Sequence, residues 1–113
     1  MPYLAGRFGI VDEMNVVPGA AERGSAAETF RRLYWDTAAS WGDPVLRMLR
    51  DVAGIDHVVF GTDYPYLPRD LAVSCREDIA ASPELSEAER TAILGATAVK
   101  LIPRLAPTLR AAG

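Results

Sequence analysis

The sequence predicts an α/β fold that is incomplete: part of a larger (β/α)8 TIM barrel, with two parallel strands and about five helices. Three observations lead there. Short apolar stretches at 33–37 and 57–62 alternate with stretches of helical period. The second of them, HVVFGT, is a short continuous apolar run, as in strands buried on both faces of a parallel sheet. Finally, two strands leave their outer N–H and C=O groups unpaired, so the sheet needs neighbours. A whole barrel takes about 250 residues, and this chain has 113. It is read as a single partial domain over 1–113 that is either a fragment or assembles with other chains.

The elements follow in chain order. Residues 2–11 read as a short helix, and 12–24, with Pro18, Gly19 and Gly24, as a loop. Ser25 caps a helix that reaches Arg32. Leu33-Tyr34-Trp35-Asp36-Thr37 is rich in aromatic and β-favouring residues and forms the first strand. Asp43 is placed to cap the next helix, with Pro44 in its first turn. Val45, Met48, Leu49 and Val52 share one face of that helix, and Gly54 ends it. The strand 57–62 follows, so 33–62 is a strand–helix–strand unit with a right-handed crossover. DYPYLPRD is a loop, and 70–81 a helix. Ser86 and Glu89 are spaced as a capping box, opening a helix that runs to about Ile102, before Pro103. Residues 106–113 are a frayed tail.

Composition narrows the function classes. Half the residues are apolar and 24% charged, as in a globular protein. Net charge is −3, from 12 basic and 15 acidic residues, so no basic face is available for nucleic acid. No apolar run approaches the roughly 18 residues of a membrane span. One cysteine, Cys75, leaves no internal disulfide and suits a reducing compartment. MPYLAGRFGI has no signal-peptide pattern. A cytoplasmic location is expected.

Asp63 is the leading candidate for chemistry. It follows the strand 57–62 directly, and the C-terminal strand ends form the catalytic face of a β/α barrel. A carboxylate there can ligate a metal or act as general acid–base; the alternative is a turn-capping Asp before Pro65. Asp36 ends its own strand and should reach the same face, either lining the substrate site or capping its turn with Thr37 and Ser40. Arg7 can clamp a substrate carboxylate in bidentate fashion or sit solvated on a helix. His57 is rejected as a ligand. It begins the strand that Asp63 follows, about 20 Å away at ~3.3 Å per residue. Trp35, Trp41, Tyr64 and Tyr66 are expected to be packing residues, with Tyr64 also placed to line a pocket. Cys75 is expected to be a small buried apolar residue.

HVVFGTDYPY, preceded by LYWDTA and by DPVLRMLRDVAG, resembles the C-terminal part of the amidohydrolase-related family. The branch is that of its aminocarboxymuconate-semialdehyde and aromatic-acid decarboxylases. ILGATAVKLIPRL is similar to that family's closing segment, and PYLAGRF to the stretch after its His-Gly-Gly turn. The resemblance covers residues 2 to about 105, with GTDYP its specific part. It implies a distorted (β/α)8 barrel with one divalent metal, usually zinc, that decarboxylates, hydrates or hydrolyses small carboxylated or cyclic compounds. It makes Asp63 the metal-site aspartate of the eighth strand and Arg7 a substrate-carboxylate contact reaching across a dimer. Asp36 carries over only as a pocket-lining residue. The family's metal histidines belong to strands before Met1, and Thr97 stands where the family has Asn.

The expected function is therefore one wall of a metal-dependent decarboxylase or hydrolase site acting on a small carboxylated substrate, inactive as this chain alone. The other expectation is a non-catalytic truncated module that self-associates or binds a partner. Both carry an apolar surface along 33–37 and 57–61 that is buried in a homo-oligomer.

Overall fold

The computed structural model describes residues 5–14, 19 and 24–106. Helix α1 spans Ala5–Met14, α2 Ala26–Arg32, α3 Asp43–Val52 and α4 Arg69–Ala81. Strands β1 (Trp35–Asp36) and β2 (Val58–Val59) flank α3. The chain closes with α5 (Glu87–Thr91), a π-helical segment (Ala92–Ala96) and α6 (Thr97–Leu101). No helix among the described residues is long and apolar enough to cross a membrane. The expected tail from 107 and the expected loop residues 15–18 and 20–23 lie outside the described residues.

The strands pair in parallel, Trp35 with Val58 and Asp36 with Val59. Both are shorter than the sequence predicts. A parallel ladder persists only where a neighbour accepts its bonds. His57 is drawn instead into a 3-10 turn, Ile55–His57, its N–H donating to Gly54. At the other end the Phe60 N–H donates to the Ile93 carbonyl at 3.0 Å. In this ladder Val59 turns its polar groups to β1, because the Thr37 N–H donates to the Val59 carbonyl. Phe60 therefore faces the outer edge, where the π segment caps it.

The core lies between the strands and the helices that follow them. It is built from Leu46 and Leu49 of α3, Val58 of β2, Cys75 and Ile79 of α4, Leu85 and Ile93. Trp35, Trp41, Val45 and Phe60 pack partly buried against it. Helix α1 joins through α2, where the Phe8 and Phe30 rings meet edge-on at 5.7 Å.

Several local expectations need correction. Asp43 does not cap α3: Gly42 is the N-cap, and Asp43, in the first turn, accepts the Ser82 hydroxyl at 2.6 Å. Helix α1 extends through 12–14, placed in the loop by sequence. The last helix is interrupted rather than continuous, because Gly95 leaves helical geometry. Tyr64 and Tyr66 are not packing residues: they are 64% and 88% exposed. The apolar surface along 33–37 and 57–61 is half closed by the chain itself. Thr37 and Val58 are fully buried under the helices, while Leu33 (47%) and Tyr34 (39%) remain exposed.

Candidate functional site

Both strands end on the same side because they run parallel in register. Asp36 lies opposite Val59, and two residues further on β2's chain passes Gly61 against the Asp36 side chain. A methyl group at Gly61 would stand 3.3 Å from the Asp36 Cβ and 3.4 Å from its Oδ1. Any larger residue there would require Asp36 to shift by a few tenths of an ångström. Asp63 is the second residue beyond Gly61. The structure thus brings Asp36 and Asp63 to one edge, the C-terminal end of the parallel pair.

Their side chains differ. Asp36 Oδ1 accepts the Ala38 N–H at 2.8 Å, so one of its oxygens holds the turn after β1. The exposed Asp63 has no hydrogen bond or ion pair to its carboxylate among the described residues. Its backbone is left-handed, φ 62°, a conformation that Asp tolerates better than most residues. The turn is held by backbone: the Leu67 N–H donates to the Asp63 carbonyl at 3.0 Å, and the Tyr64 N–H to Thr62 Oγ1 at 3.3 Å.

Tyr64 lines a groove of about 490 Å³ with Phe60 and Thr62 on one wall and Ala72, Val73 and Arg76 of α4 on the other. Neither Asp36 nor Asp63 lines that groove. Arg7 is exposed on α1, and among the described residues no hydrogen bond or ion pair joins it to Asp36, Asp63 or Tyr64. His57 is held locally: its Nδ1–H donates to the Leu33 carbonyl at 3.1 Å, and its ring stacks on Tyr34 at 4.4 Å. Cys75 is buried, and that burial raises its thiol pKa. Among the described residues no three His, Cys, Asp or Glu side chains converge as a metal cage. The fit to a divalent ion is therefore incomplete among the described residues: Asp63 offers a carboxylate without a hydrogen-bond partner, and no group of three candidate ligands forms around it. Sequence reasoning passed over the Thr37 hydroxyl, which bonds both polar groups of Gly61. Its one signal was a hydroxyl residue directly after the strand-ending Asp36.

The family model for amidohydrolases matches residues 7–104. The chain belongs to this amidohydrolase family. Members of the family are generally metal-dependent. The chain is 35% identical over 78 residues to 6-methylsalicylic acid decarboxylase of Penicillium expansum, an alignment covering 69% of this chain and 24% of that protein. It superposes on a segment of the TIM-barrel crystal structure of 5-carboxyvanillate decarboxylase from Sphingomonas paucimobilis, with a TM-score of 0.73 and 23% identity. That match covers 91% of this chain and 30% of the other. The match thus spans less than a third of the length of either relative, and with the second the amidohydrolase chain shares the fold.

Proposed function

We propose that this chain is the C-terminal part of a metal-dependent decarboxylase barrel and forms one wall of its active site. In this reading Asp63 is the metal and acid–base carboxylate, and the remaining ligands come from polypeptide outside this chain. The observation that carries the reading is the Asp63 side chain, without a partner among the described residues, at the C-terminal end of two parallel strands. Asp36 would border the substrate beside it. Tyr64 would contact substrate only by turning from its groove, and Arg7 would bind a substrate carboxylate from across an oligomer interface. Both named relatives are decarboxylases of carboxylated aromatics, which favours decarboxylation over hydrolysis and a hydroxylated aromatic acid as substrate. A divalent ion, zinc first, would supply Lewis acidity; Asp63 would hold it or exchange the proton that replaces the departing carboxyl group. One carboxylate is too few for this, since catalytic zinc sites use about three protein ligands. A cytoplasmic, oligomeric protein fits the same reading.

The test is CO2 release from 6-methylsalicylate, 5-carboxyvanillate and related acids. It compares this chain alone with the protein purified together with the polypeptide that completes its barrel, each with added Zn2+ or Mn2+. Metal-dependent release by the complete protein and none by the chain alone is the expected result. An inert complete protein across the panel would leave the second reading, a non-catalytic module. The exposed apolar side chains of α1, Ile10 (56%) and Met14 (65%) among them, favour association in that case.

A further inference from the structure

The ladder between β1 and β2 holds only two residue pairs, yet the strand ends stay together for two residues more. One side chain joins them there. Thr37 Oγ1 donates to the Gly61 carbonyl at 2.9 Å and accepts from the Gly61 N–H at 3.1 Å. Both polar groups of Gly61 are thereby satisfied by a single hydroxyl. Thr37 is fully buried, and so is Cys75, whose thiol approaches the same carbonyl from α4 at 3.8 Å. Gly61 contributes only its backbone, and a Cβ added there would sit 3.3 Å from the Asp36 Cβ. Two residues later the chain turns left-handed at Asp63. Its carboxylate has no partner among the described residues, so only the backbone on either side fixes where it points.

We propose that the Thr37 hydroxyl is the positioning group for the Asp63 carboxylate, setting the point at which β2 gives way to the left-handed turn. This rests on reading Asp63 as the reactive carboxylate. A positioning role and a packing role predict opposite orders of damage. Valine keeps the shape of Thr37 and loses the hydroxyl; serine keeps the hydroxyl and loses a methyl group. If the hydroxyl positions Asp63, Thr37→Ser resembles the native chain and Thr37→Val does not. If Thr37 only fills space, the order reverses.

The experiment is NMR on the 113-residue chain, reading Gly61 amide exchange and the backbone shifts and coupling that mark a left-handed Asp63. Thr37→Val should speed Gly61 exchange at least tenfold and average the Asp63 signature, while Thr37→Ser preserves both. In the complete enzyme Thr37→Val should lower kcat about tenfold at little-changed KM, and Thr37→Ser should restore it. Native values at Gly61 and Asp63 in Thr37→Val, or Thr37→Ser as the worse variant, overturn the proposal. Should Thr37→Val fail to fold, the native chain decides: its Gly61 amide must exchange more slowly than that of Thr62, and equal rates overturn the clamp. If the NMR results hold and the complete enzyme is inert, the catalytic reading of Asp63 falls and the clamp stands.

Discussion

Asp63, Gly61 and Cys75 sit within a few residues' reach of one another and respond to substitution for different reasons. The Asp63 side chain is exposed and makes no hydrogen bond or ion pair among the described residues. Asp63→Asn keeps the size and the tolerance for a left-handed backbone, so stability should move by no more than about 0.5 kcal/mol in urea unfolding. Gly61→Ala is the opposite case. Its methyl group meets Asp36 at 3.3 Å and Ala38 at 3.5 Å, and unfolding should show a loss of about 1–2 kcal/mol. For Cys75, burial holds the folded thiol pKa above its ordinary value of 9.0. An acid raised in this way leaves stability intact below the unfolded pKa and removes it as pH climbs through the folded one. Stability against urea should fall above about pH 9 in the native chain and fall less in Cys75→Ala. A thiol reagent at pH 8 should label Cys75 only after unfolding. The placement of Asp63 and Asp36 at neighbouring strand ends was legible because each lies at the end of its apolar run in the sequence. The Thr37 clamp was not, since its two halves are 24 residues apart. Nor was the orientation of Tyr64 toward the α4 groove, which depends on the turn after Asp63.

Among the elements, local chemistry reads well and pairing reads poorly. Both capping boxes, Ser25 with Glu28 and Ser86 with Glu89, form with reciprocal bonds, because a cap needs only residues three apart. The Ser86 N–H, and after it Arg50, lower the Glu89 carboxyl pKa. Its contribution is therefore present above the ordinary value of 4.5 and is lost as pH falls through the depressed one. Ser86→Ala should cost about 1 kcal/mol by thermal or urea unfolding, while Glu89→Gln should remove that acid limb. The strand lengths were misjudged for a physical reason. Apolar runs at 33–37 and 57–62 announce strands, but a ladder extends only as far as neighbours allow. Similarly, Asp43 reads as a cap until Ser82, 39 residues away, takes its carboxylate. The π segment answers a need no local signal reveals, since its Ile93 carbonyl serves Phe60 on the outer edge of β2.

The whole molecule belongs to the amidohydrolase family and has a core of its own. It covers 24% of one decarboxylase relative and 30% of another. Exposed Leu33, Tyr34, Ile10 and Met14 leave apolar surface that further chain would cover. Sedimentation of the solitary chain at tens of micromolar should show species heavier than the monomer; a single monomeric boundary would speak against self-association. Fold class was legible in the alternation of elements and in the shortage of strands. For a metal, the sequence offered one carboxylate, Asp63, and among the described residues no three candidate ligands converge. The central claim is that Asp63 acts in a site completed by other polypeptide. The most direct measurement is kcat/KM for CO2 release by the complete enzyme with Asp63 and with Asn at that position. A loss of at least about a hundredfold, with unchanged circular dichroism, is predicted. Equal values for the two proteins would contradict it.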